Sequence, residues 1–128
     1  MAGPFTSREA NELHAGAFGT RAFSDAEWNW RDQVAAHSLG WVTARDGAAL
    51  VGFVNVLWDG EVHAWLQDVM VALASRHRGL GRQLVAAARD GARAAGCEWL
   101  HVDFTDDLAA FYLDACGFQP ARAGLMAL

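Results

Sequence analysis

The 128-residue chain contains no lysine and no isoleucine, two cysteines and two prolines. The missing isoleucine, beside abundant alanine, is a statement about a GC-rich codon supply and not about activity. All 10 basic residues are arginines, set against 15 acidic ones for a net charge of −5. A duplex-binding protein normally carries a basic face, so nucleic acid is not expected as a main partner. No apolar run approaches the ~18 residues of a membrane span, and Met1–Ser7 lacks the basic and apolar blocks of a signal peptide. Two cysteines, Cys97 and Cys116, make no disulfide framework, so a reducing, cytoplasmic setting without a membrane is expected. The length and a 53% hydrophobic composition fit a single domain over residues 1–128 with a real core, and exclude a disordered chain.

What is present reads as alternating helices and strands. Thr6–Ala17 predicts a helix, capped at Thr6 or Ser7, with Glu9 in its first turn. Phe18–Phe23 reads as loop. Ser24–His37 predicts a second helix, capped at Ser24 or Asp25. Trp41–Ala44, Ala49–Leu57 and Val62–Val71 read as an antiparallel meander, joined by turns at Asp46-Gly47 and Asp59-Gly60. Gly79–Ala95 is the clearest helix, with Leu80, Leu84, Ala87, Ala88, Gly91 and Ala95 along one face and Gly96 closing it. Trp99–Phe104 follows as a strand, Asp106–Ala115 as a short helix, and Gly124–Leu128 as a last strand. The pattern is α+β, with helices on a mixed sheet.

The chemically informative segment runs from Val69 to Leu84. A strand ends, a short loop follows, and Gly79 and Gly81 open a helix. A helix start offers free N–H groups and a positive dipole end, and glycines let a large anion approach the backbone. The construction is a diphosphate cradle. It is not a P-loop, since no Gly-Lys-Ser/Thr follows, and it lacks the third glycine of a dinucleotide fingerprint.

Arg76-x-x-Gly79-x-Gly81 resembles the Arg/Gln-x-x-Gly-x-Gly/Ala loop of the GNAT superfamily of acyl-CoA-dependent N-acetyltransferases. Phe111-Tyr112 followed by Gly117-Phe118 resembles that family's C-terminal aromatic segment, and the element order from Thr6 to Leu128 agrees with it. The resemblance implies a three-layer fold in which a mixed central sheet is flanked by helices. It departs in two places. Only Met1–Phe5 precedes the first helix, so the first strand is short or absent, leaving a sheet edge that a second copy could cover as a homodimer. Tyr112 lies five residues before Gly117 where the family has four, so it faces the site only if the extra residue is absorbed near Ala115-Cys116.

The resemblance further implies acetyl-CoA as co-substrate, no metal, and a small-molecule or peptide amine as acceptor. Backbone groups of Val69 and Val71 would pair with the pantetheine arm. The loop of Arg76, Arg78, Gly79, Leu80, Gly81 and Arg82 would hold the diphosphate. The gap for the cofactor would open between Val62–Val71 and Trp99–Phe104. Tyr112 is the implied general acid. Candidate bases are Asp68, a charge in an otherwise apolar stretch, with His63 and Glu61. Structural readings of Asp68 as an arginine partner or bulge cap stand beside this. The family's CoA-contacting Asn has no counterpart among Asp103, Thr105 and Asp106. His101-x-Asp103 places two ligand-type side chains on one strand face but finds no third ligand, so a hydrogen-bonded pair is the plainer reading. Cys97 and His101 would stand ~13 Å apart on a strand, too far for an acyl-cysteine route, and both cysteines read as small buried hydrophobes. Most of the six tryptophans read as core, with Trp28 and Trp30 on the helix that would cover an apolar or aromatic acceptor. A non-catalytic acyl-CoA sensor or assembly module on the same fold is the alternative.

Overall fold

In the computed structural model, which describes residues 1–128, α1 spans Ser7–Phe18 and α2 Trp30–His37. The strands are β1 (Ser38–Asp46), β2 (Ala49–Trp58), β3 (His63–Val71) and β4 (Trp99–Val102), with α3 (Leu80–Ala94) crossing between the last two. The sheet order is β1-β2-β3-β4: the first three strands are antiparallel neighbours, and β4 joins β3 in parallel. A parallel neighbour requires a crossover, which α3 supplies. No helix is long and apolar enough to cross a membrane.

Alternation along the strands builds two cores. Val54, Val56, Ala64 and Leu66 face α3, where Leu84, Val85, Ala88 and Ala92 meet them. Phe53 and Met70 face the opposite layer, against Leu13 of α1 and Trp30 and Val34 of α2. The apolar stripe of α3 is thus rotated from the expected one: Val85 and Ala92 are buried, whereas Ala87 and Ala95 are exposed.

α1 begins as its sequence predicts. Thr6 Oγ1 accepts from Glu9 N–H, and the Glu9 carboxylate accepts from Thr6 N–H, a complete capping box. The second helix is shorter than predicted. Ser24 and Glu27 do exchange capping hydrogen bonds, but over a single turn. The Trp28 carbonyl is then taken by Asn11 Nδ2, and Asn29 caps α2 by accepting from Asp32 N–H. The strand expected at Gly124–Leu128 is not formed; residues 119–128 are irregular, with Leu125, Met126 and Leu128 exposed. Before α1 there is no strand, only one parallel bridge between Ala2 and Trp41.

The segment predicted as one helix over Asp106–Ala115 is two elements: a 3-10 turn at Asp106–Leu108 and a π-helix at Ala110–Ala115. Cys116 N–H donates to the Phe111 carbonyl at 2.9 Å, an i→i+5 bond that accommodates one extra residue.

Candidate active site

β3 and β4 pair only from His63↔Trp99 to Leu66↔Val102. β4 ends there, two residues before the expected Phe104, while β3 runs on to Val71. The last five residues of β3 therefore keep β2 on one side and have no strand on the other, an unpaired edge of about 16 Å.

Within this stretch β3 bulges. Asn55 pairs with Gln67 and Phe53 with Met70, so Asp68 and Val69 together oppose Val54. Asp68 takes a φ of 54°, a left-handed conformation uncommon for any residue but glycine. Its carboxyl is partly buried, has no arginine partner, and is pushed up to about 6 by desolvation alone. The arginine-partner reading of Asp68 is thereby excluded. What stands in the bulge is an unpaired carboxylate poised near neutrality, the kind of group that marks reactive sites.

Below the bulge, the chain makes a 3-10 turn at Leu73–Ser75 and enters α3 through Gly79, which has a φ of 76° and open space where a Cβ would stand. No side chain caps α3 and no acid lies in its first turn. Its first internal bond is Gln83 N–H to the Gly79 carbonyl, so the amides of Leu80, Gly81 and Arg82 are left to other partners. Arg78 and Arg82 are exposed and in no ion pair. Cations at the positive end of a helix dipole are unfavourable on their own and become favourable around an anion.

Two loop residues serve differently from what the motif alone implies. The exposed Arg76 guanidinium is engaged by the protein's own backbone: Nε donates to the Val71 carbonyl (3.3 Å) and Nη2 to the Ala17 carbonyl of α1 (2.9 Å). It ties the loop to the end of β3 and to the opposite layer. At Gly81 a Cβ would stand 3.1 Å from the Phe111 ring and 3.7 Å from Val71 Cγ2. Glycine is used here because the π-helix packs against the start of α3. Phe111 in turn meets Tyr112 edge-on at 4.8 Å, and Tyr112 stacks on Phe104 at 5.1 Å. Val71, Gly81 and Phe111 thus meet at the end of β3, with Tyr112 behind Phe111. Tyr112 is buried in the α3-side core, and burial pushes its phenol up to about 12, so it is a proton donor at neutral pH.

The other candidates lie apart from this centre. Glu61 is exposed in the β2–β3 turn, where its carbonyl accepts from Trp58 Nε1. His63 opens β3, about 16 Å along the strand from Asp68. His101 is not bonded to Asp103; its Nε2 lies 2.8 Å from His63 Nδ1, a cross-strand contact that sequence spacing does not reveal. Cys97 and Cys116 are half-buried against the α3-side core. Trp30 is fully buried and stacked on Trp28 at 4.1 Å, which makes it core. A concavity of about 480 Å³ lies between α1, the β1–β2 turn and Ala72–Leu73, which follow the end of β3. Its Glu9 is engaged by Arg45, whose hydrogen bond holds that carboxyl down to about 2.

Charge is unevenly distributed along the chain. Residues 76–93 carry five arginines and one acid, whereas residues 46–75 and 94–121 carry nine acids and no arginine. Of the five arginines, Arg78 and Arg82 stand at the start of α3, where they suit an anion.

Residues 7–118 match the family model described as the acetyltransferase (GNAT) family. Among solved structures, a Trypanosoma brucei acetyltransferase superposes with a TM-score of 0.78 at 20% identity, covering 95% of this chain and 92% of that one. Glucosamine-6-phosphate N-acetyltransferase from Arabidopsis thaliana gives 0.75 at 18% identity, covering 94% and 89%. An aminoglycoside N-acetyltransferase in complex with CoA gives 0.74 at 18% identity, covering 94% and 86%. No curated protein matches the chain by sequence.

Proposed function

Because the chain belongs to the GNAT acetyltransferase family, we propose that it transfers the acetyl group of acetyl-CoA to a primary amine by direct attack. The observation that carries this reading is the uncapped, acid-free start of α3 beside the unpaired end of β3. Leu80, Gly81 and Arg82 would offer amides to the diphosphate, with Arg78 and Arg82 as countercharges. Val69 and Val71 would pair with the pantetheine amides as an added strand pairs with a sheet edge. That an aminoglycoside N-acetyltransferase of similar fold binds CoA supports the same use of this loop.

The residues then divide the proton work. The amine nitrogen forms its bond to the thioester carbonyl carbon as the carbon–sulfur bond breaks. Asp68 accepts the amine proton, directly or through one water. Tyr112 hydrogen-bonds the departing sulfur as charge develops and passes it a proton to give CoA thiol; an ordinary thiol titrates near ~8.5, below this phenol, so the transfer is uphill and is completed as the phenolate regains, through water, the proton that Asp68 took from the amine. Holding both reactants in one gap supplies the proximity term. A panel of primary amines with acetyl-CoA tests the reading: amine-dependent release of free thiol, with the acetylated amine detected by mass spectrometry, is expected. Tight acetyl-CoA binding without release for any amine would instead mark a sensor.

A further inference from the structure

Residues 119–128 take no part in the transfer just described. None of them makes a hydrogen bond, and all are exposed. The packed body ends at Phe118, whose N–H donates to the Tyr112 carbonyl and whose ring meets Tyr112 edge-on at 6.0 Å. Beyond it the chain is an arm. Leu125 and Met126 are 95% and 81% exposed. Adjacent apolar side chains held in water mark a surface that another surface covers. The only charged residue of the arm is Arg122.

The sheet offers a matching edge. β4 pairs with β3 on one side and stands last in the strand order. Trp99 N–H donates to the Val62 carbonyl, so alternation points the N–H and C=O groups of Leu100 and Val102 away from β3. No strand of the sheet receives them. β4 has neither the charge nor the proline that blunts an exposed edge, and Trp99 projects from it. Glu98 and Asp103 flank the strand, opposite in sign to Arg122. Trp99–Val102 and Gly124–Leu128 are also comparable in length. Within one molecule the arm lies off this edge and buries nothing.

We propose that two copies of this chain exchange arms, Gly124–Leu128 of each adding as a strand beside β4 of the other. Main-chain hydrogen bonds would supply the affinity, and the covered Leu125 and Met126 the apolar burial. The exchange is reciprocal, so it closes as a two-fold dimer. This pairing does not rest on the acetyltransferase reading and stands or falls without it.

Sedimentation equilibrium of the parent, of Leu125→Asp and of the double substitution Leu125→Pro, Met126→Pro tests the exchange. The arm touches nothing in its own molecule, so these substitutions leave the body folded. Of two neighbouring strand residues one N–H faces each side, so the double proline removes a ladder bond in either register. At about 100 μM, which populates any dimer with a micromolar Kd, the parent is expected to sediment at twice the 13.8 kDa chain mass. Each variant should weaken the dimer about tenfold or more. Amide hydrogen exchange then locates the arm. Leu100 and Val102 are expected to exchange about tenfold or more slowly in the parent dimer than in the double-proline variant, while His101, bonded to β3, changes little. A monomeric parent, a dimer that survives both variants, or Leu100 and Val102 amides that exchange alike in dimer and monomer would overturn the proposal.

Discussion

At Asp68 two costs coincide: a left-handed backbone and a desolvated carboxyl without a partner. Neither helps folding. Burial raises this carboxyl from 3.8 to about 6 in the folded protein. Between those values the native state holds a proton that the unfolded chain has released. Stability therefore falls as pH rises through that window, and the penalty is complete above it. Asp68→Asn keeps a residue that tolerates the left-handed region and removes the charge. It is expected to be more stable than the parent at pH 7.5, by about 1–3 kcal/mol, with the difference shrinking toward zero near pH 4. Denaturant melts at the two pH values measure this. The same variant should be slow, and parental kcat/KM should fall about tenfold per pH unit below pH 6 as the base protonates. A variant as unstable as the parent at pH 7.5 would mean that the carboxylate is not desolvated. Tyr112→Phe keeps the stacked ring and removes the hydroxyl. It is expected to lose ~10²-fold or more in turnover with nearly unchanged acetyl-CoA affinity. Turnover within about threefold of the parent would take Tyr112 out of the site.

At the scale of elements, the π-helix reconciles the family's spacing with this chain. Five residues separate Tyr112 from Gly117, and the wide turn closed by Cys116 and Phe111 takes up the extra one. Deleting the exposed Asp114 should let the turn close as an ordinary α-helical one. Thermal and denaturant unfolding are expected to show unchanged or raised stability. A loss of about 2 kcal/mol or more would mean that the wide turn is required by its packing. The sequence could not announce this turn, because a π bond has no residue signature; only the offset of Tyr112 hinted at it. Elsewhere local chemistry was legible where it acted alone. Thr6 and Glu9 specify the start of α1, and Asp46-Gly47 the first hairpin. Ser24 and Glu27 carry a genuine helix-start signal, yet Asn29 offers a second cap five residues on, and burial of Trp30 decides between them. Gly124–Leu128 has strand-like composition, but the structure gives it no ladder to join. The loop of the site was readable because backbone and glycine spacing define it. The roles of Arg76 and Gly81 were not, since they depend on Ala17 and Phe111, distant in sequence. The His63–His101 contact, 38 residues apart, follows only from the register of β3 and β4.

At the scale of the molecule, three layers meet at one gap. α1 and α2 cover one face of the sheet, and α3 with the π-helix covers the other. Arg78 and Arg82 stand at the start of α3, while the β2–β3 turn with Asp59 and Glu61 and the segment Asp103–Asp107 carry acids and no arginine. Attraction of an anion to the α3 entry would weaken with ionic strength. The central claim is that the α3 entry holds the diphosphate of acetyl-CoA. Gly79 is its most exposed test point, because a Cβ there meets no atom within 4 Å, although any side chain at this φ carries strain. Gly79→Asp would place a carboxylate at the free amides, at a conformational cost of about 1 kcal/mol. The most direct measurement is calorimetric titration of acetyl-CoA into the parent and into Gly79→Asp, each confirmed folded. Saturable one-to-one binding to the parent, weakened by salt, is expected, with a loss of about tenfold or more in the variant. No binding to the parent, or equal binding by the folded variant, would contradict it.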